Sequence, residues 1–411
     1  MPNLVEPFAA LRPRAEYAAD VIAPPYDVVS TDEARALVRD RPSSFLHISR
    51  PEIDLASGIS PYADEVYARG AANLQRLRDT GVLVRESTAS FYVYRMSAEG
   101  REQTGIACVG SIAAYDANRI RRHELTRPDK ENDRVRNIAT LNAQTGPVLC
   151  AYRASDTLRA LVRDCASGAP TLRAVGPNDV VHTIWCVGDA ARVGRLATAL
   201  NALDALYIAD GHHRAAAASR VARERRDRDA ADAASQSFLV VAFPHDEMRI
   251  LDYNRVVRDT HGLSIDEFLA RVCDSFDVEL AAEPVAPSEP ETFGLFIGAR
   301  WYRLRIRRTL VPRNDPVASL DVSLLQDRLL APLLGIGDPR TDARIDFVGG
   351  IRGLAELERR VRSGAAAVAF SLHPTGMEQL MAVADAEKLM PPKSTWFEPK
   401  LADGLLTHVL D

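Results

Sequence analysis

The chain reads as a mixed α/β protein of more than one domain, and three observations predict this. Strand-type runs such as Phe91-Tyr92-Val93-Tyr94-Arg95-Met96 and Phe238-Leu239-Val240-Val241-Ala242-Phe243 alternate with segments of helical period. Two helix starts carry reciprocal caps, Ser30 with Glu33 and Ser264 with Glu267. At Leu206-Tyr207-Ile208-Ala209 a short apolar strand runs into Asp210-Gly211-His212-His213-Arg214 and the helix-forming Ala215 to Ala218. At 411 residues the chain exceeds one ordinary core, so two or three domains are expected.

Residues 1–100 read as an N-terminal α/β unit. Val21-Ile22-Ala23 leads into Pro24-Pro25-Tyr26-Asp27-Val28-Val29, the Ser30 cap opens a helix to about Arg39, and Ser44 to Ser49 is strand-like. A longer helix follows from about Tyr62 to Asp79, with Gly81 in the usual stop position. Residues 101–280 form the second unit. Its first strand, Thr104 to Tyr115, makes a hairpin with Phe91 to Met96 around a turn at Ser97 to Gly100, and the chain continues as strand toward Ile120 and His123-Glu124. A polar stretch, Leu125 to Asp133, precedes helices over Arg134 to Ala143, Asp156 to Cys165 and Ala190 to Leu200, with a strand at Val180 to Val187. Arg220 to Asp232 is a charge-laced helix, read as a solvated face. The Ala/Glu/Pro stretch from Ala281 to Glu291 is the linker candidate. Residues 281–411 form a C-terminal α/β domain: a hairpin of Thr292 to Ile297 with Trp301 to Ile306, an amphipathic helix from Asp321 to Leu334, a strand at Ala365 to Leu372, and a helix capped by Thr375 and Glu378. Pro391-Pro392 excludes helix from Met390 to Phe397.

With 46% hydrophobic and 26% charged residues the composition is that of an ordinary globular protein. A net charge of −5 gives no general attraction to nucleic acid or anionic membrane, so nucleic acid is not an expected partner and any polyanion site must be local. The five cysteines are dispersed, without a C-x-x-C pair, which fits a reducing cytoplasm. No apolar stretch reaches membrane-spanning length and no secretory leader is seen, so no membrane association is expected.

The Asp210 to Arg214 segment is the first candidate site. Gly211 opens a helix whose leading N–H groups lack partners and whose dipole favours an anion, while His212, His213 and Arg214 add donors, so phosphate is the expected ligand. Asp210 would repel phosphate unless it caps the helix or holds magnesium. His123-Glu124 sits among Arg121, Arg122, Arg127 and Lys130, so Glu124 should stay ionised and accept a proton from a bound hydroxyl; a surface ion-pair cluster is the plainer alternative. Lys393-Ser394-Thr395 follows a rigid Pro-Pro and offers one ammonium and two hydroxyls to an anionic group, or forms a simple turn. Tyr26-Asp27 and the Asp342 to Gly350 stretch are further loop candidates. His47, His245, His261, His373 and His408 lack neighbours at metal-ligand spacing and predict no zinc site.

With those residues in view, the whole chain resembles the bacterial family of unknown function numbered ten-fifteen, through Pro24 to Val29, His123-Glu124-Leu125-Thr126, Ile208 to Arg214, Ile250 to Arg255, Gly335 to Thr341 and Pro391 to Lys400. More distantly it resembles the free-serine kinases, which group with ParB N-terminal domains and sulfiredoxin. The shared features are the strand-Asp-Gly-His-His-Arg-helix signature, Arg122-His123-Glu124 upstream, and a closing Pro392-Lys393-Ser394-Thr395. The resemblance implies a ParB/sulfiredoxin-like nucleotide-binding core in residues 101–280. It also implies ATP or ADP as phosphoryl donor with Mg2+, and a small hydroxyl substrate, free L-serine in those kinases. Glu124 would be the base, Asp210 the catalytic carboxylate and metal ligand, and Gly211 to Arg214 the phosphate cradle; His123, Lys393, Ser394 and Thr395 would contact substrate. The alternative is a ParB-like nucleotide switch without transfer, although no basic helix-turn-helix is present. A sulfiredoxin-like reductase would need a cysteine where His212 stands.

Overall fold

Residues 2–228 and 233–411 are described by a computed structural model, and they divide into two units. The first comprises Met1–Met248 together with Pro399–Asp411, and the second Arg249–Glu398. The boundary expected at 281 is therefore displaced to 249. Ala281 to Glu291 connects two strands of one sheet in the second unit and is not a linker between domains. The expected separation at residue 100 is also absent, because Phe91–Ala98 and Arg101–Ser111 are adjacent strands of the same sheet.

The sheet of the first unit is built from β1 (Val5–Glu6), β2 (Phe91–Ala98), β3 (Arg101–Ser111), β4 (Ile120–Arg121), β5 (Val148–Tyr152), β6 (Leu172–Val175), β7 (Val181–Val187), β8 (Leu206–Asp210) and β9 (Ser237–Pro244). Their order is β4-β8-β5-β9-β3-β2-β7-β6, with β1 added on β3. β4 runs parallel to β8, and β5 parallel to β9; the other pairings are antiparallel. Alternate residues, Phe91 and Val93, Ile106 and Cys108, Val148 and Cys150, Leu206 and Ile208, Val240 and Ala242, enter one apolar core as the two-residue strand period requires. Against them lie Ala215, Ala218, Val221 and Ala222 of α2 (His212–Asp227). These small residues bring that helix close to the sheet, and α1 (Pro128–Leu141) packs alongside it.

The second unit holds a six-stranded, fully antiparallel sheet. It contains β10 (Tyr253–Val257), β11 (Phe276–Ala281), β12 (Thr292–Ile297), β13 (Arg300–Ile306), β14 (Ile345–Gly349) and β15 (Val368–Leu372), in the order β11-β13-β12-β15-β10-β14. The protein is thus mixed α/β, as expected, with a large mixed sheet. Among the described residues no helix is long and apolar enough to cross a membrane, and all five cysteines are free.

Several local expectations are corrected. Ser44 to Ser49 is helical at Leu46–Ser49, since a short run with Phe45, Leu46 and Ile48 all buried suits a buried helical turn as well as a strand. The strand expected to reach Tyr115 ends at Ser111, whose hydroxyl accepts from Ala114 N–H and opens a helical turn. The polar stretch before Arg134 is half helix, because Pro128 takes the first helical position. The cap expected from Thr375 and Glu378 falls one residue later, where Gln379 accepts from Gly376 N–H. The helix over Arg220 extends to Asp227; the end expected near Asp232 lies outside the described residues.

Candidate functional site

Because β4 and β8 are parallel neighbours, paired at Ile120–Leu206 and Arg121–Tyr207, their carboxyl ends leave the sheet on the same side. The chain after β4 carries His123-Glu124, and the chain after β8 carries Asp210-Gly211-His212. The topology therefore brings together two segments distant in sequence. His123 and Glu124, expected at the end of a strand, stand in the loop just beyond one. Two contacts tie that loop to the start of α2: His123 N–H donates to His212 Nε2 at 3.5 Å, and Arg127 N–H donates to His213 Nε2 at 3.0 Å. Glu124 Oε2 lies 3.8 Å from His212 Nδ1, and the His123 and His212 rings meet edge to face with centroids 4.5 Å apart.

Gly211 is the N-cap of α2 at φ +98°, in the left-handed region, and α2 has no side-chain cap. A Cβ on Gly211 would stand 2.9 Å from Arg214 Nε, so the guanidinium lies flat against the glycine. Arg214 is buried, donating from Nη1 to Pro147 O at 2.5 Å and pairing through Nη2 with Asp210 Oδ2 at 3.2 Å. This side chain buttresses the turn from behind. Asp27 and Asp403 add negative charge around it, which, with Asp210, outweighs burial and holds its proton more firmly than usual. Beside it, Arg134 stacks on Tyr26 at 3.9 Å, and burial pushes the Tyr26 hydroxyl up to about 12. The Tyr26-Asp27 loop thus belongs to this cluster.

Asp210 has a second cation. Lys400 Nζ lies 3.7 Å from its Oδ2. Burial pushes the Asp210 carboxyl up, but Lys400 and Arg214 more than offset it and hold the group far below the usual carboxylate range. A carboxylate held between an ammonium and a guanidinium has its charge already balanced. A magnesium ion on Asp210, as the sequence leads one to expect, would share the carboxylate with both cations. Burial, the largest influence on each, also keeps the imidazoles neutral: His123 is lowered to about 4, His212 falls well below its ordinary value, and His213 falls less. Neutral imidazoles offer a donor and an acceptor each, and His213 Nε2 accepts from the Arg127 amide.

The basic residues expected around Glu124 have partners of their own. Arg127 pairs with Asp129 at 2.9 Å, Lys130 Nζ meets Tyr62 Oη at 3.0 Å, and Arg121 and Arg122 lie over the rings of Tyr207 and Tyr115. Lys393, Ser394 and Thr395 belong to the second unit. There Lys393 stands over the Tyr253 ring, and the buried Ser394 hydroxyl donates to Pro391 O at 2.6 Å. Lys400, in the first unit, is the residue missed in the sequence. Pro-Lys occurs twice, at Pro392-Lys393 and Pro399-Lys400, and the second pair supplies the cation at Asp210.

Fold and site together define a mixed α/β protein with an uncapped helix start and a facing carboxylate at the ends of two parallel strands. The chain belongs to the family described as protein of unknown function (DUF1015), whose model matches residues 5–323. No curated protein matches the sequence. Among solved structures it is similar to a free serine kinase mutant in complex with AMP, at 11% identity and TM-score 0.36 over 71% of this chain and 86% of that one. A conserved hypothetical protein from Pyrococcus furiosus shares 12% identity at TM-score 0.35, over 74% and 94% of the two chains. SbnI from Staphylococcus aureus, truncated at its C-terminus, shares 9% at TM-score 0.38, over 72% and 85%.

Proposed function

We propose that the first unit is a nucleotide-dependent kinase that transfers a phosphoryl group to the hydroxyl of a small molecule, with free L-serine the first acceptor to test. The supporting observation is the approach of Glu124, half-exposed and 3.8 Å from His212, to the uncapped start of a sixteen-residue helix. Amides at such an end favour phosphate, and a carboxylate beside it can take the proton of an attacking hydroxyl. Phosphoryl transfer asks little more of a protein than positioning and charge compensation.

In this reading the leading amides of α2 hold the donor phosphates, and Lys400 adds a mobile positive charge at their edge. Arg214 and Asp210 keep the Gly211 turn in shape. His123 and His212 orient the acceptor beside Glu124. Lys393, Ser394 and Thr395 are assigned no contact with the acceptor. Mg2+ enters on the phosphates of ATP or ADP, its usual mode, since Asp210 is already compensated. The sheet containing β4 and β8 would be the ParB/sulfiredoxin-like core of a cytoplasmic enzyme.

The test is to incubate the full chain with ATP or ADP, Mg2+ and small hydroxyl compounds, serine first, and to look for the phosphorylated product by mass. Glu124→Gln keeps size and loses basicity. It is expected to lower turnover by about 100-fold or more while leaving nucleotide affinity nearly unchanged. Equal turnover removes Glu124 from its role, and nucleotide bound without any product across the panel favours a switch over an enzyme.

A further inference from the structure

We infer that His123, His212 and Glu124 form a site for a divalent transition metal of the zinc, manganese or iron class, with open coordination positions. One ligand atom from each of the three lies within 4.8 Å of the others. Tetrahedral ligands 2.0–2.2 Å from one ion stand about 3.3–3.6 Å apart, so closure needs a shift of up to about 1.5 Å. Glu124, long and half-exposed, supplies it by rotation of its side chain.

The stronger evidence is His123. Its ring is 2% exposed, and its Nδ1 has no hydrogen-bond partner. In the neutral tautomer protonated on Nε2, Nδ1 is a buried lone pair facing no donor. An unmatched buried acceptor costs roughly 1–3 kcal/mol, and a cation shared with the adjacent carboxylate relieves it. His212 joins through Nδ1, the atom facing Glu124. Its proton then moves to Nε2, and the 3.5 Å contact with the His123 amide is given up. Two imidazole nitrogens and one carboxylate select a borderline transition metal over magnesium, and three protein ligands leave positions for water or substrate oxygen.

This inference does not rest on the kinase reading. A carboxylate on a metal is no longer a free base, so in a kinase the bound metal would inhibit.

The experiment uses the full chain, stripped of metal, given Zn2+ or Co2+ without nucleotide, desalted and analysed for bound metal and for Co2+ absorption. About one equivalent should be retained. Glu124→Gln should weaken binding about 10-fold or more, and His123→Ala should abolish it with the circular dichroism unchanged. His47→Ala, a histidine paired with Asp54 elsewhere, should bind like the parent. If His123→Ala fails to fold, the Glu124→Gln comparison decides. Negligible retention by the parent protein, or unchanged affinity in Glu124→Gln, overturns the site and leaves the kinase reading to its own assay.

Discussion

At Gly211 the backbone and a side chain make the same demand. The +98° φ excludes ordinary L-residues at a cost of about 1–3 kcal/mol, and the Arg214 guanidinium occupies the space a Cβ would need, at 2.9 Å. Gly211→Ala is therefore expected to lose more than strain alone. The displaced guanidinium would let go of Pro147 O and Asp210, so a buried charge would lose its partners. Chemical denaturation should show destabilisation of at least about 2 kcal/mol, and a loss below about 0.5 kcal/mol would mean that the turn tolerates side chains. Lys400 makes a different prediction, because it sits at the rim, one-fifth exposed and 3.7 Å from Asp210. Replacing it with Met should leave folding nearly intact. It should weaken nucleotide binding about 3- to 10-fold, as expected for one partly screened charge, with the largest loss at low salt. Unchanged affinity at low salt would show that Lys400 serves only Asp210.

The elements show why part of the site was legible in the sequence and part was not. β8, the Gly211 cap and α2 were readable because every signal is local: an apolar run, a glycine, an alanine-rich helix start. The same holds for the hairpin of β2 with β3 and for the Ser30 and Ser264 boxes, whose reciprocal bonds are all present. Ser44 to Ser49 failed because a six-residue apolar run carries no period that separates strand from buried helix. The approach of His123 to His212, 89 residues apart, is set by the parallel pairing of β4 with β8, and parallel pairing leaves no local mark. The family resemblance supplied Glu124; spacing alone favoured a surface ion pair. Lys393 was singled out by the rigid Pro-Pro before it and the two hydroxyls after it, whereas Lys400, in the segment that returns to the first unit, carries no such local mark.

For the whole molecule, each unit has its own sheet and core, and their buried carboxyls make stability depend on pH. In the second unit Asp321, 8% exposed, accepts Glu291 N–H on Oδ1 at 2.9 Å, while its Oδ2 has no partner. Burial first, and the Glu291 carboxylate after it, raise this group from the ordinary 3.8 to about 7. The sign follows from proton linkage. Between about pH 4 and 7 the folded unit binds a proton that the unfolded chain lacks, so stability falls as pH rises through that window and the cost is complete above it. A rise of this size bounds the cost at about 4 kcal/mol. Asp321→Asn keeps the acceptor for the Glu291 amide and carries no charge. The variant should match the parent within about 1 kcal/mol at pH 5, where both are neutral, and exceed it by about 1–3 kcal/mol at pH 8. Native-state hydrogen exchange in β12 and β13 reads this for the second unit alone, once intrinsic exchange rates are corrected for pH. If parent and variant lose protection in parallel from pH 5 to 8, Asp321 is ionised in the fold at neutral pH, and the pH dependence of the unit has another source.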